Sequence, residues 1–269
     1  MSTRSAVGFG WGWLIAPPAA MFLLAALVQV TTGDAALFLW LNNAVFPLGE
    51  VFWSSVTLLG DGLVLFVLLG FMARRHGQLV WSAWLATFFA ILWTHGLKYL
   101  TGHALRPPSV LPAYAFHIIG RLLHAGSFPS GHATTTFAVG GVLAAYLHNP
   151  IPRVALIAVG GAIAFSRVAV GVHWPSDVLI GAAGGWVAGA LGVAAARHWD
   201  YATRPAGRRL MANAWLIAAL ALLLRDPHYP DARWLQYAIA GSAAIVAVVA
   251  RVAIALRRRQ PGAARAKHI

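Results

Sequence analysis

The sequence contains no cysteine and very little negative charge. The absence of cysteine excludes a disulfide framework, a thiolate metal site and a cysteine nucleophile. Only seven of the 269 residues are acidic, and charged residues of both signs make up 10% of the chain. With 59% hydrophobic residues, this composition is too apolar for a soluble domain of this length. The chain is therefore predicted to be a membrane protein.

The few charges that are present are mostly positive, which gives a formal net charge of +13. A balance of this kind raises the question of a nucleic-acid partner. The basic residues, however, form short clusters between apolar runs and do not make one continuous face. We therefore expect no nucleic-acid partner and interpret the clusters as the ends of membrane helices.

The apolar runs approach the length of about 20 residues that a membrane-spanning helix needs. They cover residues 12–31, 51–73, 79–98, 131–147, 154–170, 177–196, 210–224 and 233–256. The first run is longer than the apolar region of a usual secretory signal, so it is interpreted as a span. The seventh is short and is interpreted as a tilted or re-entrant element, and residues 34–46 are predicted to form an interfacial helix.

These runs predict an all-α fold, a polytopic membrane helical bundle with six core transmembrane helices plus one or two C-terminal helices. The chain is divided accordingly into three parts. Residues 1–204 are the predicted membrane core and residues 205–256 are appended C-terminal transmembrane helices. Residues 257–269 are a basic cytoplasmic tail that is expected to be disordered.

The distribution of lysine and arginine predicts the orientation, because cytoplasmic loops carry an excess of both residues. With the N-terminus in the cytoplasm, most of the basic residues fall on the cytoplasmic side. The exceptions on the outer side are Lys98, Arg106, Arg121, Arg167, Arg225 and Arg233. The prediction is a multi-pass protein of the inner membrane with both termini cytoplasmic. Lys98, Arg106 and Arg167 stand at the outer ends of spans, where charged groups typically mark a functional site.

The segment KYLTGHALRPP holds two of these cations. Lys98 ends a span, Arg106 follows across a Thr-Gly break, and Pro107 and Pro108 then favour an extended chain. Arginine offers a planar fork for two oxygens and lysine offers a point charge, so the pair suits an anion such as phosphate. The alternative is that both residues are interfacial anchors.

The segment SFPSGHATTTFAV begins an apolar helix with polar residues. Ser130 is predicted at or near its N-cap, and Gly131 lets a ligand approach the backbone closely. The unpaired amides and the dipole of a helix N-terminus favour a bound phosphate. A phosphate there would favour the protonated form of His132, which is the form that a general acid needs. The alternative is a capped helix whose histidine faces water.

The segment SRVAVGVHWPSDV contains Arg167, His173 and Asp177. Asp177 lies four residues past His173, so its carboxylate is expected to accept a hydrogen bond from one ring nitrogen of the histidine. The other nitrogen then carries a lone pair directed at the substrate. The alternative is a first-turn aspartate that stabilises its own helix dipole.

These three segments together resemble the three-part signature of the type 2 phosphatidic acid phosphatase superfamily, in its membrane lipid phosphatase branch. The second and third parts match in residue type and spacing. The first departs from the common pattern, because seven residues separate Lys98 from Arg106 where the family has six. The resemblance covers about residues 35–196 and leaves the C-terminal helices outside.

The resemblance implies a role for each motif residue. His173 is implied as the nucleophile that forms a phosphohistidine, Asp177 as the group that orients it, and His132 as the acid that protonates the leaving oxygen. Residues that hold the phosphoryl oxygens are implied to be Lys98, Arg106, Ser130, Gly131 and Arg167. The resemblance also implies that no metal and no other cofactor is needed.

The expected substrate is a lipid phosphate whose head enters the site at the periplasmic face while its tails stay in the bilayer. Undecaprenyl pyrophosphate is the leading candidate, beside phosphatidylglycerol phosphate, phosphatidic acid and lipid A phosphates. A lipid phosphotransferase with the same phosphohistidine remains an alternative. A transporter or binding protein with a phosphate site is a weaker one, because the polar groups cluster at one face.

Two further features remain open in the sequence. The loop Ser109 to Gly126, which joins the first two motifs, is either a cover over the site or an ordinary interfacial loop. Asp61, in LGDG, is interpreted as a local helix start, with a role as partner of a motif cation as the alternative. His95 and His103 flank Lys98, but a helix break separates them, so no metal site is predicted there.

Overall fold

The computed structural model describes residues 10–259, and within this range the chain forms α-helices and no β-strand. The helices are α1 (Trp11–Val30), α2 (Asp34–Val45), α3 (Glu50–Leu58), α4 (Gly62–Gly70), α5 (Gly77–Leu100), α6 (Pro107–Val110), α7 (Gly131–Ala145), α8 (Pro150–Ala169), α9 (Pro175–His198), α10 (Pro205–Leu224) and α11 (Arg233–Arg259). The prediction of an all-α membrane bundle is confirmed.

Six helical segments are long and apolar enough to cross a membrane: α1, α5, α8, α9, α10 and the segment Pro230–Val252, which contains most of α11. Helix α10 has 20 residues, so the seventh apolar run, predicted to be short, has the length of a full span. Helix α7 has only 15 residues. It is mostly buried and packs against α5, α8 and α9, which makes it the centre of the bundle.

The prediction of one continuous span over residues 51–73 is wrong. Helix α3 ends at Leu58 and α4 begins at Gly62. Asp61 is the N-cap of α4, and its Oδ1 accepts hydrogen bonds from the backbone nitrogens of Leu63 at 2.9 Å and Val64 at 3.3 Å. A side chain that satisfies the first free amides of a helix specifies where that helix begins. The interpretation of Asp61 as a local helix start is confirmed.

Two further predicted elements are the interfacial helix over residues 34–46 and the tail over residues 257–269. The predicted interfacial helix is present as α2, and with the turn that follows it, this helix meets α3 at an angle of 108°. Residues 257–259, predicted to begin a disordered tail, belong to the last turn of α11. The rest of the predicted tail, residues 260–269, lies outside the described residues, as does Arg4.

Glycines on α9 bring this helix into close contact with α7. Gly181, Gly185 and Gly189 follow one another at intervals of four and share one face of the helix. A Cβ atom at Gly185 would lie 2.2 Å from the carbonyl oxygen of Thr134, and one at Gly189 would lie 2.7 Å from that of Ala138. Small residues at such intervals let membrane helices approach until their backbones touch. The contact sets the N-terminus of α7 beside that of α9.

One end of the bundle collects the termini that carry the predicted motifs. The C-terminal ends of α5 and α8 meet the N-terminal ends of α4, α7 and α9 there, together with the loop between α10 and α11. The C-terminal pair α10–α11 reaches this end by packing on α4, through a core that includes Val64, Val67, Leu222 and Ala240. Lys98, Arg106 and Arg167 therefore lie near one another.

Candidate active site

His173 and Asp177 form a buried pair at the beginning of α9. Nδ1 of His173 lies 3.2 Å from Oδ2 of Asp177, and each residue is only 2% exposed. The same oxygen accepts hydrogen bonds from the backbone nitrogen of Trp174 at 3.0 Å and from the hydroxyl of Ser127 at 2.5 Å. The carboxylate is thus fixed from several directions, and it fixes the histidine ring in turn.

The second ring nitrogen of His173 faces a cation. Nη1 of Arg106 lies 3.1 Å from Nε2 of His173. A guanidinium can only donate hydrogen bonds, so Nε2 must be the acceptor in this contact. The proton of the neutral ring therefore sits on Nδ1 and is donated to Asp177. This arrangement leaves the lone pair on Nε2.

The surroundings of His173 keep its ring neutral. Burial lowers the pKa of His173 well below its ordinary value of 6.5, and the nearby charges of Arg106, Arg167 and Lys98 lower this pKa further. At neutral pH the imidazole is therefore unprotonated at Nε2. An unprotonated nitrogen is the form that can attack an electrophile.

The predicted cations of the first motif are held by backbone carbonyls of the loop that joins the first two motifs. Nε of Arg106 donates to the oxygen of Ala125 at 2.8 Å, and its Nη2 donates to that of Gly126 at 3.0 Å. Nη1 also donates to the oxygen of Val172 at 2.8 Å, and the Lys98 ammonium donates to Gly126. Burial and the charge of Arg167 lower the pKa of Arg106 to about 10, so Arg106 stays protonated at neutral pH.

The N-terminus of α7 forms another part of the site. Ser130 is the N-cap, as predicted, and its hydroxyl oxygen accepts a hydrogen bond from the backbone nitrogen of Ala133 at 3.4 Å. The backbone nitrogen of Ser130 donates to the carbonyl oxygen of Asp177 at 3.0 Å, which ties α7 to α9. Gly131 and His132, in the first turn, face the cavity described below.

Arg167 is buried at the end of α8 and is held by residues distant in sequence. Its Nη1 donates hydrogen bonds of 2.6 Å to the hydroxyls of Thr57 and Tyr229. Arg167 is 3% exposed and Tyr229 is 7% exposed. The Tyr229 ring packs against Gly120, where a Cβ atom would lie 2.6 Å from the ring, so that only glycine fits. Helix α3 and the α10–α11 connection therefore set the position of this arginine.

These groups surround one cavity of about 250 Å³. It is lined by Leu58, Asp61, Lys98, Arg106, Arg121, Leu123, Gly131, His132, Arg167, His173, Arg225, His228 and Tyr229. Most of the predicted site residues are in this wall. The other two, Ser130 and Asp177, are buried and contribute through hydrogen bonds to α7 and to His173. Among residues 10–259, no group of three or more acidic or histidine side chains is arranged to hold a metal ion.

The loop Ser109 to Gly126, predicted to be either a cover over the site or an ordinary interfacial loop, contributes Arg121 and Leu123 to the site. They belong to the cavity wall, while Tyr114 points away and is 92% exposed. The loop is thus part of the site, and the carbonyls of Ala125 and Gly126 at its end anchor the motif cations.

Arg225, His228 and Tyr229 were missed by the sequence reasoning. Arg225 forms an ion pair with Asp61, with nitrogen–oxygen distances of 3.1 and 3.3 Å. The one signal for this segment in the sequence was that Arg225 falls on the same predicted side as the motif cations.

Comparisons with known proteins point to one family. A model of the PAP2 superfamily matches residues 79–201, which contain all of the predicted site residues. A lipid A 1-phosphatase of Rhizobium etli is 39% identical over 124 residues, which is 42% of this chain and 52% of the relative. A lipid A 1-phosphatase of Rhizobium johnstonii is 34% identical over 158 residues, 54% of this chain and 63% of the relative. The chain thus matches less than two thirds of either relative.

A solved structure extends the comparison to the fold. The crystal structure of Aquifex aeolicus LpxE superposes with a TM-score of 0.55 and 30% sequence identity. The superposition covers 60% of this chain and 94% of that chain. The segments that supply Asp61, Arg225 and Tyr229 to the cavity wall lie outside the residues matched by the family model, as does Thr57, which binds Arg167.

Proposed function

Because the chain belongs to the PAP2 superfamily, we propose that it is a membrane lipid phosphatase that removes a phosphate from a lipid headgroup. The observation that carries the proposal is the state of His173. Its Nδ1 is hydrogen-bonded to Asp177, and its Nε2 faces a cavity lined by lysine and arginine side chains. A neutral nucleophile beside several fixed cations is suited to attack on a phosphate, whose negative charge otherwise repels nucleophiles.

In the first step, Nε2 of His173 attacks the phosphorus atom. A bond forms between Nε2 and phosphorus, and the bond from phosphorus to the lipid oxygen breaks. The bound phosphate favours the protonated form of His132, on the same cavity wall, and His132 gives its proton to that oxygen. The lipid leaves with a free hydroxyl, or as the lipid monophosphate when the substrate is a lipid pyrophosphate. Asp177 stabilises the positive charge that the His173 ring acquires, because its carboxylate already holds the Nδ1 proton.

In the second step, water attacks the phosphorus atom of the phosphohistidine. His132, now neutral, accepts a proton from the water. The bond between phosphorus and Nε2 breaks, its electron pair returns to the nitrogen, and inorganic phosphate leaves. His173 is again neutral and bonded to Asp177, so the site is ready for a second cycle.

The cations hold the phosphoryl oxygens while charge develops on them. Lys98, Arg106 and Arg167 line the cavity with the first turn of α7, whose amides add positive partial charge. Before substrate binds, Nη1 of Arg106 donates a hydrogen bond to the lone pair of Nε2 of His173. A phosphate dianion attracts this guanidinium more strongly than a neutral nitrogen does, so binding transfers the hydrogen bond to a phosphoryl oxygen and frees Nε2.

The relatives favour lipid A as the first substrate to test. The two Rhizobium proteins are lipid A 1-phosphatases, and the chain is 39% and 34% identical to them over the matched regions. Undecaprenyl pyrophosphate, the substrate favoured by sequence reasoning, stays a prediction. The distribution of basic residues supports the periplasmic face of the inner membrane as the place of the reaction.

The proposal is tested by phosphate release from the purified protein in detergent with EDTA present. Lipid A 1-phosphate and undecaprenyl pyrophosphate are supplied separately. His173→Ala removes the nucleophile, and His95→Ala is the matched control because His95 is exposed near the same end of α5 and is not in the cavity wall. We expect release by the wild type and by His95→Ala, and none by His173→Ala.

Two other outcomes have defined meanings. Equal release by His173→Ala and the wild type contradicts the proposal. Release that appears only when an acceptor lipid is added, with the phosphate recovered on that lipid, identifies a phosphotransferase. The substrate that gives the higher kcat/KM decides between a lipid A phosphate and undecaprenyl pyrophosphate.

A further inference from the structure

A second cavity, of about 330 Å³, opens between α4, α10 and α11. Its lining residues are Gly70, Phe71, Ala73, Arg74, Arg208, Met211, Ala212, Trp215, Val246, Ala247, Ala250 and Arg251. We name it the arginine pocket. Its wall is apolar except for the three arginines, and this combination differs from the polar cavity around His173.

The arginine pocket lies at the opposite end of the bundle from His173. Helix α4 begins beside the His173 cavity at Asp61 and runs away from it to Gly70. Helix α11 also begins near that cavity, and Arg251 lies about 18 residues beyond its first residue, about 27 Å along the helix axis. This distance is close to the thickness of the hydrocarbon core of a bilayer, about 30 Å. The arginines of the pocket are therefore at the headgroup level of the other leaflet.

The apolar part of the pocket is held in place by Trp215. Its indole Nε1 donates a hydrogen bond of 2.8 Å to the carbonyl oxygen of Val67, and its ring packs edge-to-face with that of Phe71, with the ring centroids 5.2 Å apart. The ring covers Gly70 so closely that a Cβ atom there would lie 1.8 Å from Trp215. Because the ring is fixed by these contacts, the cavity exists before any ligand enters it.

The charge of the arginine pocket has one sign. Arg74, Arg208 and Arg251 are exposed, and the described lining residues include no carboxylate. Nη2 of Arg251 donates to the amide oxygen of Asn213 at 3.0 Å, and this partner is neutral. Basic pockets between membrane helices on the cytoplasmic side are suited to the headgroups of anionic lipids.

We propose that the arginine pocket binds an anionic phospholipid of the cytoplasmic leaflet. The phosphate contacts Arg74, Arg208 and Arg251, and an acyl chain lies against Trp215 and the alanines of α11. Such a lipid joins the end of α4 to α10 and α11. It is a bound structural lipid and not a substrate, because the pocket is at the opposite end of the bundle from His173. The site is independent of the phosphatase proposal.

The test is native mass spectrometry of the full chain released from mixed micelles that contain either phosphatidylglycerol or phosphatidylcholine. We expect the wild type to retain phosphatidylglycerol at least about tenfold more than phosphatidylcholine, since each arginine near the surface favours an anionic lipid. The variant Arg74→Gln/Arg208→Gln/Arg251→Gln removes the three charges. In this variant the amounts of retained phosphatidylglycerol and phosphatidylcholine should differ by no more than about twofold, as expected for a site without charge.

A matched control changes the same number of charges at the same end of the bundle. Arg75→Gln/Arg197→Gln/Arg209→Gln alters three exposed arginines that are not in the pocket wall. This control should keep the wild-type preference. A second variant, Ala250→Phe, keeps all charges and fills the apolar part of the pocket. It should also lose the retained phosphatidylglycerol, and it covers the case in which the triple variant does not fold.

Three results would overturn the proposal. One is a wild type that retains both lipids equally. Another is a control variant that loses phosphatidylglycerol as fully as the pocket variant, which would indicate a general effect of positive charge. The third is a dimer that disappears in both pocket variants, which would identify the face as a contact between two copies of the chain.

Discussion

Nη1 of Arg106 lies 3.1 Å from Nε2 of His173, and this contact determines which nitrogen of the ring carries the proton. Arginine cannot accept a hydrogen bond, so the lone pair must be on Nε2 and the proton on Nδ1. Asp177, on the other side of the ring, favours the same tautomer, since its carboxylate can only accept a hydrogen bond and Nδ1 must then carry the proton. A cation and an anion thus hold His173 in the tautomer that a nucleophile requires.

Asp177→Asn should lower kcat strongly with little change in KM. The asparagine amide can present a donor to Nδ1, which favours the tautomer whose Nε2 carries the proton and faces the donors of Arg106. Loss of an orienting carboxylate of this kind typically costs about 10²–10⁴-fold in kcat. Steady-state phosphate release checks the effect. Ser127→Ala, which removes one donor to the Asp177 oxygen, should lower kcat by only about tenfold or less. A kcat for Asp177→Asn near that of the wild type would contradict this role.

His173 should titrate below pH 6.5. Burial and the charges of Arg106, Arg167 and Lys98 lower its pKa, so as pH falls the ring stays neutral past the point where an ordinary histidine protonates. Activity that requires the neutral ring of His173 is therefore lost only when the pH falls below 6.5. Nitrogen-15 NMR of histidine-labelled protein, with His173→Gln to assign the signal, measures the midpoint and the tautomer. A midpoint above 6.5 would show that the cations do not act on the ring as described.

Tyr229→Phe should reduce kcat/KM by about tenfold without unfolding the protein. The change keeps the buried ring but removes the hydroxyl that accepts a hydrogen bond from Arg167, a bond to a charged group. Because Arg167 is assigned to the phosphoryl oxygens, the inhibition constant of inorganic phosphate should rise as well. A purely structural role of the tyrosine would lower the melting temperature and leave phosphate inhibition unchanged.

Tyr237→Phe is the control for this variant. Tyr237 lies on α11 and is 44% exposed, away from the cavity wall. Its kinetic constants should match those of the wild type. If both tyrosine variants lose activity equally, the effect is not specific to the contact between Tyr229 and Arg167.

Gly185→Ala should destabilise the bundle. The new Cβ atom would lie 2.2 Å from the carbonyl oxygen of Thr134, so α7 and α9 must move apart. Forcing a methyl group into a tight helix contact typically costs about 1–3 kcal/mol. Thermal unfolding in detergent measures the loss. Gly140→Ala, where no atom lies within 4 Å of the new Cβ, should be neutral or slightly stabilising, because alanine is the better helix former.

The parts of the site that the sequence predicts are those built from short segments. His173 and Asp177 are four residues apart across the start of one helix, and Ser130 caps the helix that it begins. Local geometry is enough to bring such groups together. The helical fold was predictable for a similar reason, since apolar runs of about 20 residues have few other structures available in a membrane.

The supports of Arg167 were not predictable in this way. Thr57 and Tyr229 stand 110 and 62 residues away from it along the chain, and neither belongs to a motif. Their contacts depend on how α3 and the α10–α11 pair pack against the core. The break after Leu58 was predicted only in part. Asp61 was interpreted as a helix start because its cap is a local effect, but one acidic residue between two glycines did not interrupt the apolar run that predicted a continuous span.

The most direct test of the central claim is to trap the phosphoenzyme. Wild-type protein is mixed with lipid A 1-phosphate or undecaprenyl pyrophosphate, quenched under alkaline conditions that preserve phosphohistidine, digested and analysed by mass spectrometry. The account predicts one phosphoryl group on His173, present in the wild type and absent in His173→Ala. Phosphate release by the wild type with the phosphoryl group on another residue, or with none on any peptide that contains His173, would contradict it.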